Sequence, residues 1–227
     1  MTKPLFTAIA GVYDRMNRLL SLGMDLRWRR KAAALVPGEP GTILDLATGT
    51  GDFAFALARH FPQAEIVGVD LTPAMLDLAR AKNTSFPNVT FREGDAQRLV
   101  LGAECLVLGA AKLVTCAFGF RNFPDKSAAL AEARRVLAPG GELLVLEFFR
   151  PDNAILGALT SLWLRFASGL FARGNASAYA YLRESIKATV REDEFVALAR
   201  SRGFELEDRR LFFPCCSCLR FRVAPSR

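Results

Sequence analysis

Short apolar runs alternate with helix-like segments between residues 42 and 149, and this alternation restricts the fold more than any other feature of the sequence. Turn residues bound the runs, as expected of buried strands; the runs are TILDLA (42–47), AEIVGVD (64–70), NVTFREGD (88–95), KLVTCAF (112–118) and ELLVLEFF (142–149). The helix-like segments between them are DFAFALARHF (52–61), TPAMLDLARAKN (72–83) and KSAALAEARRVL (126–137). The alternation predicts an α/β domain whose parallel sheet has helices on both faces.

A single domain accounts for residues 1–227. The chain is 51% apolar, which is enough for a sizeable core, and neither an internal repeat nor a low-complexity linker divides it. Two further helices are predicted before the first strand, over residues 5–20 and 25–36.

The chain carries a net charge of +7 and has a pI of about 9.5. This balance suits a nucleic acid, an anionic membrane surface or an anionic ligand, and selects none of them. An RNA-binding protein or RNA methyltransferase is one alternative. We expect no nucleic-acid partner, because the basic residues are mixed with acidic ones along the helices and no RNA-binding module accompanies them.

The cysteines indicate reduced thiols. There are five of them, an odd number, and no signal peptide precedes them, so a cytoplasmic location is expected. Cys215, Cys216 and Cys218 form a cluster, but His60 is the only histidine in the chain. No metal site is predicted, since zinc is normally held by four ligands in spaced pairs.

A glycine-containing turn follows the first predicted strand. In LDLATGTGDFAFA, Gly49 and Gly51 let the backbone approach a ligand, and the next helix offers free N–H groups at its start. Asp70 ends the following strand, where a carboxylate can bind the two hydroxyls of a ribose. GTGDFA also fits the dinucleotide fingerprint, so the turn alone leaves a nicotinamide oxidoreductase open.

Three details favour S-adenosylmethionine as the cofactor. Asp45 lies inside the first strand, which suits the cationic methionyl end. Asp95 ends the third strand, where an adenine amino group would need an acceptor. RVLAPGGELLVLE predicts a helix, a tight Pro-Gly-Gly turn and a strand, as expected late in a methyltransferase sheet.

Six stretches between residue 5 and about residue 187 carry a resemblance to a known family; they are FTAIAGVYDRMNRLLSLGMDLRWRR, LDLATGTGD, GVDLTPAMLDLAR, AFGFRNFPD, ARRVLAPGGELLVLEF and YAYLRESI. In them the chain resembles the quinone-biosynthesis C-methyltransferases of the demethylmenaquinone and ubiquinone type, within the class I methyltransferases. The resemblance implies a doubly wound, Rossmann-like sheet of seven strands, mostly parallel with an antiparallel last strand, and an N-terminal helical lid.

The resemblance also divides the domain by function. It implies a lid over 1–36, a cofactor-binding core over 42–150, substrate-cover helices over 151–190, and a last helix with C-terminal strands over 191–227. It implies cofactor contacts from Thr50, Asp70, Asp95 and Ala96, and the motifs add four more residues. The full candidate set for S-adenosylmethionine is Asp45, Gly49, Thr50, Gly51, Asp70, Asp95, Ala96 and Ala117.

Four residues are candidates for catalysis on a quinol ring. Arg121 and Asn122 lie among phenylalanines in CAFGFRNFPD, so they either have fixed partners or await a ligand. We predict that Arg121 stabilises the phenolate and Asn122 binds the second ring oxygen; the alternative is that the pair ties loop backbone together. Tyr13 and Asp14 would lie in the lid nearest the substrate, with Asp14 a candidate proton acceptor, or would form a polar outer face.

The segment 154–171 has an apolar face typical of an amphipathic helix and is interrupted by Arg165, so it is not predicted to span a membrane. It is either a core helix or a cover that guides a lipophilic quinol tail and touches the bilayer. Residues Arg27, Arg29, Arg30 and Lys31 could then meet anionic headgroups. We expect a protein that visits the membrane surface, and leave a homodimer open.

Two segments depart from the family pattern. QRLVLGAECLVLGAAKL (97–113) is longer and more apolar than the usual acidic link, and FFPCCSCLRFRV lacks the usual Gly-Ile pair and histidine. They leave room for a methyltransferase that acts on another small phenol or a polyketide.

Overall fold

The computed structural model describes residues 2–100, 109–151, 153, 155, 157–159, 161–162, 176–213 and 216–224. Its helices are α1 (Thr2–Ser21), α2 (Met24–Ala33), α3 (Asp52–His60), α4 (Pro73–Lys82), α5 (Lys126–Val136), α6 (Ala176–Ala188) and α7 (Glu192–Ser201), with a 3₁₀ turn at Phe120–Asn122. Its strands are β1 (Thr42–Leu46), β2 (Glu65–Asp70), β3 (Val89–Glu93), β4 (Ala111–Ala117), β5 (Leu137–Phe148), β6 (Phe204–Phe213) and β7 (Cys216–Val223).

The seven strands form one sheet in the order β3-β2-β1-β4-β5-β7-β6. Strands β1 to β5 run parallel, and β7 runs antiparallel to both β5 and β6. The strand order reverses between β1 and β4, whose carboxyl ends flank the crevice in which open α/β sheets bind their ligands. The predicted seven-stranded, mostly parallel sheet is confirmed.

Helices cover both faces of the sheet. On one face α5 and α7 pack against a core that contains Leu130 and Phe195. On the other face α2, α3 and α4 pack through Trp28, Phe53 and Leu76. Because the strands are buried on both faces, their continuous apolar runs were readable in the sequence.

Strand β5 begins earlier than the sequence predicted. Residues 138–141 were expected to form a tight turn before a strand at 142, but Leu137 already pairs with Ala111 of β4. The register then shifts before Leu113 pairs with Glu142, and Gly140 has a φ of +69°. The Pro-Gly-Gly stretch is therefore an irregularity inside the strand, because buried Leu137 aligns with the sheet before the glycines realign the register.

The segment 154–171 falls largely outside the described residues, including Trp163, Phe166 and Leu170 of its predicted apolar face. The residues of this segment that the structure assigns to a helix are 155, 157–159 and 161–162. Among them Ile155, Leu159 and Leu162 are exposed over 71%, 58% and 65% of their surface, so these three do not pack in the core.

Candidate active site

A cleft opens at the carboxyl ends of β1 to β4. It contains about 720 Å³ of space that no protein atom occupies, and this space includes open solvent. Seven of the predicted site residues line it; they are Tyr13, Gly49, Asp70, Asp95, Ala96, Ala117 and Asn122. Asp45 and Thr50 line a smaller adjoining recess, whereas Arg121, Asp14 and Gly51 line neither space.

The glycine turn supplies one wall of this cleft. Gly49 and Gly51 have φ values of +57° and +84°, a conformation that favours glycine. A Cβ on Gly51 would lie 2.9 Å from the Phe91 ring and 3.0 Å from Phe55. Gly51 therefore packs against these two rings because it has no side chain, while Gly49 lines the cleft.

Asp70 closes the turn at the end of β2. Its Oδ2 accepts a hydrogen bond of 2.9 Å from the Gly49 N–H, and its Oδ1 accepts one of 2.8 Å from the Thr72 N–H. Burial raises the pKa of Asp70, against the lowering effect of these bonds. Asp70 lines the cleft, where a carboxylate can accept hydrogen bonds from a pair of ribose hydroxyls.

The end of β3 supplies a second carboxylate. Asp95 Oδ1 accepts a hydrogen bond of 2.9 Å from the Gln97 N–H and a longer one from the Gln97 side-chain amide. The neighbouring Ala96 is 5% exposed and lies with Met75 in the apolar part of this wall. A flat base with an exocyclic amine fits between an apolar wall and an acid of this kind.

Asp45 lies in a recess that continues the cleft inward. Thr115 and Thr48 donate hydrogen bonds to its two oxygens at 2.6 and 2.7 Å. The side chain is fully enclosed, and burial raises the pKa of Asp45 to about 6 despite both threonines and the charge of Arg29. Asp45 is therefore a buried acid whose charge depends on what enters the recess.

Arg29 lies on the buried side of α2, whereas a contact with lipid headgroups would need an exposed side chain. It is 5% exposed, its Nη1 donates to Asp25 Oδ2 at 2.6 Å, and its guanidinium lies 5.0 Å from the centre of the Phe118 ring. The prediction that Arg29 meets lipid headgroups is wrong, because this face of α2 packs inward. Arg27, Arg30 and Lys31 are exposed.

Arg121 already has fixed partners. Its Nη1 contacts Glu147 Oε1 at 2.8 Å and the Phe118 carbonyl at 2.5 Å, while its backbone N–H donates to Glu147 Oε2 at 3.0 Å. The side chains of Arg121 and Glu147 are 6% and 2% exposed. Phe118 itself has a φ of +61°, and these bonds to its carbonyl hold that unfavourable conformation in place.

Asn122 reaches the cleft and has one partner from a distant helix. The Tyr181 hydroxyl donates to Asn122 Oδ1 at 3.0 Å, while Asn122 Nδ2 donates to the Phe118 carbonyl at 3.3 Å. The Tyr181 ring lies 6.1 Å from Phe6, which in turn lies 6.0 Å from Tyr13. Sequence reasoning did not select Tyr181 or Phe6, although both belong to stretches that carry the family resemblance.

Helix α1 lies across the glycine turn and is attached to it by charged groups. Asp14 accepts a hydrogen bond of 2.5 Å from the Thr50 hydroxyl and pairs with Lys82 at 2.7 Å. Lys82 also pairs with Asp52 at 2.8 Å, and Arg18 joins Asp52 on α3 at 2.5 Å. Asp14 and Thr50 therefore hold α1 on the glycine turn, and Tyr13 is the neighbour that faces the cleft.

Most of the chain matches a known protein family. The model of the ubiE/COQ5 methyltransferase family matches residues 2–216. A protein named demethylmenaquinone methyltransferase from Deinococcus radiodurans is 45% identical, over 92% of this chain and 87% of its own length. The ubiquinone/menaquinone biosynthesis C-methyltransferase UbiE of Syntrophotalea carbinolica is 43% identical, over 89% of this chain and 85% of its own.

A solved structure shows the same fold at low sequence identity. A SAM-dependent methyltransferase from Aquifex aeolicus superposes with a TM-score of 0.66 at 15% identity, over 92% of this chain and 98% of that one. With a match to the family model over most of its length, this chain belongs to the ubiE/COQ5 methyltransferase family and is an S-adenosylmethionine-dependent methyltransferase.

Proposed function

We propose that the protein transfers a methyl group to a ring carbon of a prenylated quinol, with a demethylated naphthoquinol as the preferred acceptor. The observation that carries this proposal is the continuity of two regions in one cleft. The acidic wall formed by Asp70 and Asp95 passes directly into an apolar end lined by Phe6, Phe118 and Phe123. The names of the relatives support a quinone ring as the occupant of that apolar end.

The residues of the acidic wall fit the methyl donor. Asp70 would bind the ribose hydroxyls, and Asp95 with Ala96 would hold the adenine. Asp45 would face the ammonium of the methionyl end, and the side-chain-free backbone at Gly49 and Gly51 would lie against the donor. When bound, S-adenosylmethionine supplies an electrophilic methyl group on a sulfonium.

The apolar end would hold the ring and exclude water. Phe6 and Tyr13 from α1 cover it, and Phe118, Phe123 and Asn122 form its floor. Asn122 would hydrogen-bond a ring oxygen through its amide; the hydrogen bond from Tyr181 to its Oδ1 supports this role, because it orients the amide. Water-free surroundings strengthen such a hydrogen bond, and the bond in turn aligns the ring carbon with the methyl group.

Arg121 would act through its charge. Its guanidinium is buried in an ion pair with Glu147, and its charge lowers the pKa of Tyr181, the partner of Asn122, against the larger raising effect of burial. A fixed positive charge at this depth favours an ionised hydroxyl on the ring. We assign this electrostatic role to Arg121, and assign Asp14 to attachment of the lid because Thr50 and Lys82 occupy its oxygens.

The test is methyl transfer from labelled S-adenosylmethionine to reduced acceptors, with the donor's dissociation constant measured separately. A demethylated naphthoquinol with a short prenyl tail is compared with a benzoquinol of the same tail length. We expect methyl transfer to the naphthoquinol to be at least about tenfold faster, because burial of its additional fused ring contributes more than about 1.4 kcal/mol. Donor binding without transfer to either quinol would contradict the proposal and point to another phenolic or polyketide acceptor.

We also propose that the protein approaches its lipophilic acceptor at a membrane surface. Exposed Ile155, Leu159 and Leu162 could insert among acyl chains, and Arg27, Arg30 and Lys31 could contact anionic headgroups. Within the described part of the chain no helix has both the length and the hydrophobicity to cross a bilayer. Sedimentation with phosphatidylglycerol vesicles tests this proposal: Leu159→Ser with Leu162→Ser should release the protein, and unchanged binding would contradict it. A homodimer stays a prediction.

A further inference from the structure

We infer that Arg29 binds the α-carboxylate of the methionyl end of the donor, opposite Asp45. The inference rests on S-adenosylmethionine as the donor and is independent of which acceptor is methylated. It replaces a surface role for Arg29 with one in the interior of the site.

The first support is the location of Arg29. It lines the small recess that contains Asp45, together with Thr48, Thr50, Asp52 and Phe53. This recess shares Tyr13, Gly49 and Ala117 with the main cleft, so a ligand whose adenosyl part lies in the cleft can extend into it. The recess is at the end of β1, where the methionyl part of the donor would lie if its ribose is on Asp70.

The second support is the charge pattern. The methionyl end of the donor carries an ammonium and a carboxylate on the same carbon. A complementary recess therefore needs an anionic and a cationic side chain next to each other. Arg29 lies close enough to both Asp45 and Asp52 for its charge to lower the pKa of each of them, although burial acts in the opposite direction on both. Asp52 is already paired with Lys82 and Arg18, which leaves Asp45 as the partner for the ammonium.

The third support is the way the guanidinium is held. Nη1 donates to Asp25, and one face of the group lies on the Phe118 ring. Asp25 is itself fixed by the Ser21 hydroxyl at 2.8 Å and by Arg18. Among the described residues, the bond to Asp25 is the only hydrogen bond of the Arg29 guanidinium. Its remaining N–H donors are therefore available, in a fixed orientation, for a carboxylate.

The rival explanation is that Arg29 only ties α2 to Asp25 and Phe118. Both explanations predict that removing Arg29 weakens the protein or its donor binding. They differ in one respect: a carboxylate ligand makes the loss depend on the carboxylate of the bound molecule, whereas a scaffold role does not.

The experiment measures the dissociation constants of two ligands for three proteins by calorimetry. The effect of each substitution is then compared between the two ligands. The ligands are S-adenosylhomocysteine and its decarboxylated analogue, which lacks only the α-carboxylate. The proteins are the wild type, Arg29→Met, and Arg27→Met as the matched exposed control on the same helix. Arg18 remains on Asp25 in Arg29→Met, so that carboxylate keeps a cationic partner.

We expect the wild type and Arg27→Met to bind S-adenosylhomocysteine about 10- to 100-fold more tightly than the decarboxylated analogue, as charge-assisted hydrogen bonds allow. Arg29→Met should lose that preference through weaker binding of S-adenosylhomocysteine, with binding of the analogue changed less than about threefold. Equal weakening of both ligands would overturn the inference, and so would a wild type that binds both equally.

Two further measurements keep the inference testable. Thermal unfolding of Arg29→Met shows whether it folds; if it does not, Arg29→Lys serves instead and should keep about a tenth of the wild-type preference, because it lacks the planar fork. A quinol assay without turnover would leave this binding cycle unchanged, so failure of the proposed acceptor and failure of the carboxylate site are separate outcomes.

Discussion

The hydroxyl of Tyr181 donates a hydrogen bond of 3.0 Å to Asn122 Oδ1, and this contact joins α6 to the loop after β4 across 59 residues of chain. Asn122 is the residue of the Arg-Asn pair that lines the cleft, so Tyr181 sets the direction of its amide. Helix α6 thus orients a polar group that lines the cleft.

Removal of this bond should slow catalysis without affecting the donor. Tyr181→Phe should lower kcat/KM for the quinol about fivefold, as loss of one neutral hydrogen bond predicts, and Asn122→Ala should lower it further because it also removes the bond to the ring oxygen. The double variant should be no slower than Asn122→Ala, because Tyr181 acts through Asn122. Multiplied losses in the double variant, or a parallel loss of donor affinity, would contradict the assigned role.

The buried Arg121–Glu147 pair allows structure and catalysis to be separated. Arg121→Met alone leaves Glu147 buried without its cation and should lower the free energy of unfolding by about 3–5 kcal/mol. Adding Glu147→Gln should recover most of that stability, measured by urea unfolding.

Turnover in the doubly substituted protein is the informative quantity. We expect it to stay low while the dissociation constant of S-adenosylmethionine remains near the wild-type value, because the positive charge behind the ring is still missing. Full recovery of turnover together with stability would mean that Arg121 only ties the loop to β5.

The raised pKa of Asp45 predicts two opposite responses to pH. In the folded protein this pKa is about 6, against 3.8 for an unperturbed Asp. Between these values the folded state binds more protons than the unfolded state, so the Asp45 contribution to stability falls as the pH rises from about 4 to about 6. The cationic donor should bind more tightly over the same rise in pH and slightly above it, because Asp45 becomes charged.

Asp45→Asn checks both responses. In the donor-free protein it should flatten the decline in stability by about 2–3 kcal/mol across this range, since one pKa unit corresponds to about 1.4 kcal/mol. It should also remove the pH dependence of donor affinity. A variant whose two pH profiles match those of the wild type would show that another group titrates.

The attachment of α1 should depend on Lys82, which bridges Asp14 of the lid and Asp52 of the core. Each ion pair is partly exposed and contributes less than about 1 kcal/mol, so Lys82→Met should loosen the lid without unfolding the domain. Hydrogen exchange in α1 and the dissociation rate of S-adenosylhomocysteine should both rise about three- to fivefold. Lys187→Met, at an exposed pair with Glu184 on α6, is the control and should change neither rate.

Two glycines in different environments should respond oppositely to alanine. Gly51→Ala forces a positive φ on a side chain whose Cβ meets Phe91 and Phe55, and should cost about 1–3 kcal/mol of stability with weaker donor binding. Gly11→Ala, in the exposed part of α1 with nothing within 4 Å of its Cβ, should stabilise by about 0.5–1 kcal/mol. Urea unfolding measures both; a neutral Gly51→Ala would refute the close-approach argument.

Much of the fold and half of the site could be read from the sequence. Parallel strands buried on both faces leave continuous apolar runs, and acids at their carboxyl ends must meet at one edge, so Asp45, Asp70 and Asp95 were identifiable before any coordinates. Contacts between distant segments could not be read in this way. Neither the bond from Tyr181 to Asn122 nor the left-handed conformation of Phe118 has a local signal.

The inward orientation of Arg29 had a signal that was missed. Asp25 and Arg29 are separated by four residues, the spacing of neighbours on one helix face, and the same face carries buried Trp28 and Ala32. On a short helix, basic residues therefore predict a surface patch only where they do not share a face with buried apolar residues.

Strand β7 is inserted between β5 and β6, although it follows both of them along the chain. During synthesis, β5 therefore stays an open edge until Cys216–Val223 has left the ribosome, with the apolar Leu143–Leu146 stretch unpaired on that side. Loss of β7 would remove an interior strand of the sheet and separate β6 from β5, whereas loss of an edge strand would leave the other strands paired. The sheet is thus completed only once β7 has been synthesised, and a product truncated before β7 would expose a strand edge prone to aggregation.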